Sequence, residues 1–398
     1  MAYPTSVPVL LVHNHYQQPG GEDQVFTSEA SLLEEHGHRV LRFEETNRRA
    51  VNMNPLVLGM ATVWNQKVVR RLSESIRRTR PWIVHFHNTF PLISPACYRA
   101  ARKYGVAVVQ TLHNFRMLCP NGLLFRDQKP CELCIEAHSP WPGIYHRCYR
   151  HSASASAAVA AMITVHRVMR TWLDQVDLYI APSDFTRMKF IEGGLSEDRI
   201  VVKPHFLEFD PGIGQGRGSY ALYAGRLSDE KGLRTVVEAW KRLPASMALR
   251  IAGDGPLAEW LAAECRQVPH IQWLGRQSRE QVLHQMKDAM LLVYPSECYE
   301  TGALAITEAY ATGLPVVASN HGTMASVVRH GETGLHFRPG DADHLAEKVR
   351  WLYAHPAETM SMRREARSEF ENRYSKQANY QALVAIYEAA AARANRGD

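Results

Sequence analysis

Ala221-Leu222-Tyr223-Ala224-Gly225-Arg226-Leu227-Ser228-Asp229-Glu230-Lys231-Gly232 carries a short apolar run into a glycine, a polar loop and the start of the next helical stretch. A near-continuous apolar run of this length reads as a strand of a parallel sheet covered on both faces. The loop beyond the carboxyl end of such a strand is where an open α/β sheet binds its ligands. Arg226 leaves the strand tip, and Lys231 stands where the next helix begins. Two cations beside the free N–H groups of a helix start suit a diphosphate. Spacing alone also allows a solvated loop with two surface cations.

The same rhythm recurs outward from this stretch. In the second half, apolar runs fall at Ala248–Ala252, Ile271–Leu274, Leu291–Tyr294 and Pro315–Ala318. In the first half they fall at Val7–Val12, Val40–Phe43, Trp82–Phe86, Val106–Leu112 and Leu178–Ala181. Amphipathic stretches separate them, so the predicted fold class is α/β, with two Rossmann-like doubly wound domains facing across a cleft. The first domain is expected over residues 1–206 and the second over 207–375, with the join in the glycine-rich stretch from Phe206 to Ser219. Residues 376–398 read as a helix crossing back to the first domain. The stretch 118–150, with little periodicity and four of the seven cysteines, reads as an insertion.

After Leu291–Tyr294 comes Pro295-Ser296-Glu297-Cys298-Tyr299-Glu300-Thr301-Gly302-Ala303, then a helix holding Glu308. A carboxylate in the loop can accept hydrogen bonds from sugar hydroxyls, and one in the helix can hold two vicinal ribose hydroxyls. The amides of Gly302 and Ala303 would face a phosphate. Acidic residues also favour helix N-termini for purely local reasons.

The set Gly225-Arg226…Lys231-Gly232, Gly253-Asp254-Gly255-Pro256, Glu300 with Glu308 eight residues on, and Gly313-Leu314-Pro315-Val316-Val317-Ala318 resembles family 4 glycosyltransferases of the GT-B fold. The resemblance covers most of the second half in the family's order. It implies transfer with retention of anomeric configuration from a nucleotide-sugar, a UDP- or GDP-sugar, with no catalytic metal. It places Arg226 and Lys231 on the diphosphate, Glu300 on the donor sugar and Glu308 on the ribose. Where the family usually has an aromatic residue and then a glycine after the first glutamate, this chain has Gly302 and Ala303. In the first half, Pro19-Gly20-Gly21-Glu22-Asp23 resembles the family's acceptor-side glycine loop, and His113 falls where the family often places a histidine near the donor's reacting end. Front-face departure, with the leaving phosphate helping to deprotonate the acceptor, is the mechanism usually written for such enzymes. The implied acceptor is a glycan or a lipid-linked glycan of bacterial-type polysaccharide assembly.

Other features have competing readings. His85 and His87 at the end of Trp82–Phe86 read as structural histidines. Asp341-Ala342-Asp343 precedes a helix and reads as an N-cap, not a metal site. Cys119, Cys131, Cys134 and Cys148 are spaced like a zinc ribbon, whose four thiolates would give a closed structural zinc site; the alternative is four free thiols. The helix Val68 to Arg80 carries five arginines and suits either peripheral contact with an anionic membrane or a solvated face.

Hydrophobic residues make up 45% of the 398 and charged residues 22%, which excludes a disordered chain. The net charge of +6 is too weak to argue for nucleic acid, and no nucleic-acid partner is expected. The N-terminus lacks a basic region and cleavage site, so a cytoplasmic location is expected, at the inner face of the membrane if the basic helix makes contact there. Two other functions fit parts of the sequence: a sugar-nucleotide epimerase or hydrolase on the same frame, and a zinc-ribbon nucleic-acid binder. Glu300 and Glu308 together with Arg226 and Lys231 argue against the first, and the second leaves the whole second half unexplained.

Overall fold

The computed structural model describes residues 7–17 and 20–395, so Pro19 of the glycine loop lies outside the described residues. The chain divides into two compact units, one of residues 1–124, 131–204 and 376–398, the other of residues 125–130 and 205–375. In chain order the strands are β1 (Val9–His15), β2 (Val40–Thr46), β3 (Ile83–Asn88), β4 (Ala107–Thr111), β5 (Phe125–Arg126), β6 (Lys129–Pro130), β7 (Leu178–Ala181) and β8 (Ile200–Val202). They continue with β9 (Tyr220–Ala224), β10 (Ala248–Ala252), β11 (Ile271–Gly275), β12 (Leu291–Tyr294), β13 (Val316–Ser319) and β14 (Gly334–Phe337).

The first unit holds a six-stranded parallel sheet in the order β2-β1-β3-β4-β7-β8. Val9 to Val12 of β1 are all buried, as a strand covered on both faces requires. On one face, Val9, Leu11, Ile83, Val109 and Ile180 meet Phe26, Ala30 and Leu33 of the helix Gly21–Glu35. The same cluster takes in Leu383, Ile386 and Tyr387 of the helix Lys376–Ala394, so the C-terminal helix helps to close this core.

The second unit holds a six-stranded parallel sheet in the order β11-β10-β9-β12-β13-β14. Its strands alternate faces residue by residue. Ala221 and Tyr223 pack with Val236, Val237 and Trp240, while Tyr220 and Leu222 pack with Ile306, Tyr310 and Met324 on the opposite side. The strand order reverses between β9 and β12, which puts the mouth of this sheet at the loops following those two strands.

Every strand expected from the sequence is present, and two more close the sheets. β8 has three residues and β14 holds a glycine and a histidine, so neither makes a long apolar run. β1 and β3 run further than their apolar stretches, to His15 and Asn88, drawing polar side chains into the sheet. Asp341 caps the helix Ala342–Ala354, its carboxylate accepting from the His344 amide at 2.9 Å. Among the described residues no helix is long and apolar enough to cross a membrane.

Candidate active site

The mouth of the second sheet is built by backbone before any side chain acts. After β9, the Gly225 amide donates to Ala252 O and the Leu227 amide to Asp254 O, both at 3.0 Å. The loop beyond β10 lies so close to this segment that a Cβ on Gly253 would stand 1.9 Å from Gly225 O, which restricts the position to glycine. Gly232 has φ +70°, and a Cβ there would meet Pro295 O at 2.0 Å, so the loop after β9 presses directly on the loop after β12. Glu230 O accepts from the Glu297 amide at 2.9 Å and the Cys298 amide at 3.2 Å, fastening the two loops together.

That fastening brings Lys231 and Glu300 together. Lys231 Nζ lies 2.6 Å from Glu300 Oε1, and Ser296 Oγ donates to the same oxygen at 2.6 Å. Thr323 donates its hydroxyl to the Glu300 carbonyl, and His321 Nε2 bonds Ser296 O at 2.8 Å. Burial opposes the charge on Lys231, but the Glu300 carboxylate outweighs it and holds the ammonium well above its ordinary pKa. The result is a fixed cation with a carboxylate beside it, poised at the strand-order reversal. Arg226 stands exposed at the tip of β9, its carbonyl bonded by Tyr223 OH at 2.8 Å.

Glu308 belongs to a second network. It lies on the helix Leu304–Ala311, nearly buried, with Arg279 Nε 2.9 Å from Oε1. Burial raises its pKa and Arg279 counters that rise. Arg279, at the start of the helix Arg279–Asp288, was not legible in the sequence, because its partner is 29 residues away. Ala303 is the N-cap of the Glu308 helix, so its amide and that of Gly302 precede the helix's first turn.

In the first unit, Gly20 caps the helix Gly21–Glu35, its amide donating to Asp23 Oδ2 at 2.8 Å. Gly20 and Gly21 are exposed. Asp23 Oδ1 in turn receives His13 Nε2 at 2.9 Å and His15 Nδ1 at 3.0 Å. His113, beyond β4, is buried with Nε2 3.0 Å from His87 Nδ1. His85 and His87 are fully buried within the sheet; burial pushes His85 down to about 4 and His87 well below the usual imidazole range, so both are neutral. A small cavity of about 40 Å³ opens beside His87, lined in part by Gln110, His113, Asn114 and Arg116.

Glu22 is the residue of this region that sequence reasoning passed over. Its Oε1 accepts from Asn114 Nδ2 at 2.8 Å, and Tyr16 bonds it as well. Burial pushes its carboxyl up to about 7 against those hydrogen bonds. Its place directly after Gly20-Gly21, in the first turn of a helix, was the available signal.

Two sets of side chains have atoms close enough to share a cation: His13, His15 and Asp23, and Glu29, His85 and His87. Lys203 Nζ lies 2.7 Å from Glu29 Oε1, both side chains buried, and already supplies the positive charge in the second set. Of the cysteines, Cys119 and Cys134 are buried and hydrogen-bonded to each other, and Cys148 lies near enough to act on Cys134 electrostatically. Among the described residues no three of the four sulfurs come within 4.8 Å of one another. On the helix Gln66–Thr79, Val68, Leu72 and Ile76 are buried and the arginines point outward, with Arg71 paired to Glu45.

A family model described as Glycosyltransferase Family 4 matches residues 12–210, and one described as Glycosyl transferases group 1 matches residues 212–369. The chain belongs to glycosyltransferase family 4. A glycogen synthase of Mycobacterium tuberculosis is 33% identical over 355 residues, covering 84% of this chain and 75% of the relative. Among solved structures, Anabaena Alr3699/HepE in complex with UDP aligns with a TM-score of 0.67 at 17% identity, covering 95% of this chain and 98% of that one. Sucrose-phosphate synthase from Thermosynechococcus elongatus aligns with a TM-score of 0.71 at 17% identity, covering 96% and 98%. The fold of this glycosyltransferase is GT-B, two parallel-sheet α/β domains. Within it the structure unites Lys231 with Glu300, pairs Glu308 with Arg279, and leaves Arg226 exposed at the strand tip.

Proposed function

We propose that this glycosyltransferase moves a sugar from a UDP-sugar to a glycan or lipid-linked glycan acceptor, with retention of configuration and without a metal at the diphosphate. The observation that carries the reading is the Lys231–Glu300 pair at the reversal of the second sheet. A held ammonium can neutralise charge as it develops on the departing diphosphate, and such preorganised charge is a large source of rate. Arg226 supplies the second cation from the strand tip. Glu300, fixed by Ser296 and Lys231, keeps its remaining lone pairs for hydroxyls of the donor sugar. Glu308, oriented by Arg279 on one oxygen, offers the other to the ribose. The amides of Gly302 and Ala303 face the phosphates, Gly20 and Gly21 let backbone approach the bound donor closely, and His113 acts near the donor's reacting end.

With no second carboxylate nucleophile assigned, the acceptor hydroxyl attacks the anomeric carbon on the face the diphosphate leaves, and the leaving phosphate oxygen takes its proton. The enzyme's share is orientation and charge. UDP is favoured because Alr3699/HepE has been solved with UDP, with UDP-glucose, and with UDP and glucose. For the cysteine-rich segment, the contact between Cys119 and Cys134, with Cys148 close by, supports a structural zinc. Closing a tetrahedral site would draw Cys131 and Cys148 inward.

A thermal-shift panel of UDP, GDP, ADP and their sugars tests the donor assignment, since the nucleotide that binds tightest stabilises most. UDP and a UDP-sugar are expected to lead. The anomer formed, followed by NMR on an accepted glycan, tests retention, and an inverted product would overturn it. Release of free sugar as the main activity would point instead to a hydrolase.

A further inference from the structure

Three helices of the first unit share an unusual surface. The helix Pro55–Val63 has no charged residue, and Leu56, Val57 and Met60 on it are 78%, 48% and 65% exposed. The helix Trp141–Tyr145 is also uncharged, with Trp141 71% and Tyr145 84% exposed. Both pack on the helix Ala153–Val168, which carries no Asp, Glu, Lys or Arg before Arg167 and ends on Val168, 77% exposed. Gly59 lies over Ala158, and His166 Nε2 bonds Val63 O at 2.8 Å, fixing the first pair; the Tyr149 amide bonds Ser156 Oγ at 2.9 Å beside the second. Isolated exposed apolar side chains are ordinary on a protein surface. Six large ones on helices that pack on one common helix are a concentration of exposed apolar side chains of the kind that marks an interaction site.

The charge around the patch identifies the partner. The two stretches of sequence that build it, residues 46–73 and 137–173, contain no Asp or Glu. They do contain exposed cations, among them Lys67, Arg70, Arg147 and Arg150. Two segments far apart in sequence thus contribute the same combination of apolar and aromatic side chains with positive charge of a single sign. Tryptophan and tyrosine prefer the headgroup level of a bilayer, and flanking arginines are drawn to anionic lipids. An acidic protein surface would satisfy the arginines and leave the aliphatic residues without a matching apolar medium.

We propose that this three-helix face seats the enzyme on an anionic lipid bilayer, with Leu56, Met60, Trp141 and Tyr145 entering the headgroup region. The inference rests on the reading of a lipid-linked acceptor for its biological sense, and it moves membrane contact from the arginine helix Gln66–Thr79 alone to a surface with apolar anchors. No step of the transfer chemistry enters it.

The test is co-sedimentation of the full-length protein with vesicles of phosphatidylcholine alone and with about 30% phosphatidylglycerol, at low and high salt. Neither donor nor acceptor is present, so failure here leaves the transfer reading intact. The expected result is partitioning to the anionic vesicles that weakens with salt. It should fall at least tenfold in Trp141→Ser/Tyr145→Ser and, separately, in Leu56→Ser/Met60→Ser, with thermal unfolding unchanged in each. The two pairs lie on different helices, so a folding defect in one leaves the other to decide. Absence of wild-type binding would overturn the proposal, as would binding that neither pair weakens. Concentration-dependent self-association without lipid, abolished by the same substitutions, would assign the face to a second copy of the chain instead.

Discussion

At the level of single residues, Lys231 and Glu22 show how burial and a partner decide what a charge can do. Lys231 is held protonated by Glu300, so in the proposed transfer its charge and its position are set before the diphosphate departs. Lys231→Ala and Arg226→Ala are each expected to cut turnover on the order of a hundredfold or more, as loss of a group that stabilises the leaving charge does; steady-state rates at saturating donor check this. Glu22 makes a different, pH-dependent prediction. Burial pushes its carboxyl up to about 7 in the folded chain, against an ordinary glutamate value of 4.5 once unfolded. Between those values the folded state holds a proton that the unfolded state has released, so stability from this group is full below 4.5 and is lost as pH rises through 7. Glu22→Gln should therefore gain stability relative to wild type as pH rises from 4.5 to 7, by on the order of 2 kcal/mol. Urea denaturation at several pH values reads the difference, and a constant offset would contradict it. The roles proposed for Arg226, Lys231, Glu300 and Glu308 could be suggested from sequence because strand-end loops and family spacing both point to these positions. Glu22, Asn114 and Arg279 could not, since each acquires its meaning from a partner on another element.

At the level of elements, the strands were legible because a parallel strand covered on both faces must be apolar nearly throughout, and Leu291–Tyr294 and Ala221–Ala224 are short apolar runs bounded by polar or turn-forming loops. The edge strand β8 was lost for the converse reason: three residues make no pattern. The loops between elements are where close approach replaces pattern. Gly232 is held at φ +70° with Pro295 O where a side chain would go, and this contact sets the separation of the loops that carry Lys231 and Glu300. Gly232→Ala is expected to force those loops apart, at a cost on the order of 1–3 kcal/mol for the backbone conformation alone. Stabilisation of the variant by a nucleotide-sugar should shrink well beyond that change in the unliganded protein's stability. A variant that loses stability but keeps its full nucleotide-induced shift would show that the loop contact does not shape the site.

At the level of the whole molecule, the first unit is closed by residues drawn from three distant parts of the chain. Glu29 comes from the helix Gly21–Glu35, Lys203 from just beyond β8, and Asn379 from the C-terminal helix. Lys203 Nζ bonds Glu29 Oε1 at 2.7 Å and Asn379 Oδ1 at 2.9 Å, while Asn379 Nδ2 bonds Pro204 O at 2.7 Å. Lys203 and Glu29 are both essentially inaccessible to water. Such a pair contributes little net stability over an apolar replacement, yet removing one member leaves the other charge buried alone. Lys203→Met is therefore expected to destabilise the chain by about 3–5 kcal/mol. Lys203→Met combined with Glu29→Gln should recover a large part of that loss, because no buried charge then remains. Recovery would also locate the effect in the carboxylate and not in the helix Lys376–Ala394, whose apolar contacts through Leu383, Ile386 and Tyr387 are the same in both variants. If the double variant unfolds as readily as the single one, the ammonium is acting chiefly through Asn379, as the tie between the C-terminal helix and the sheet.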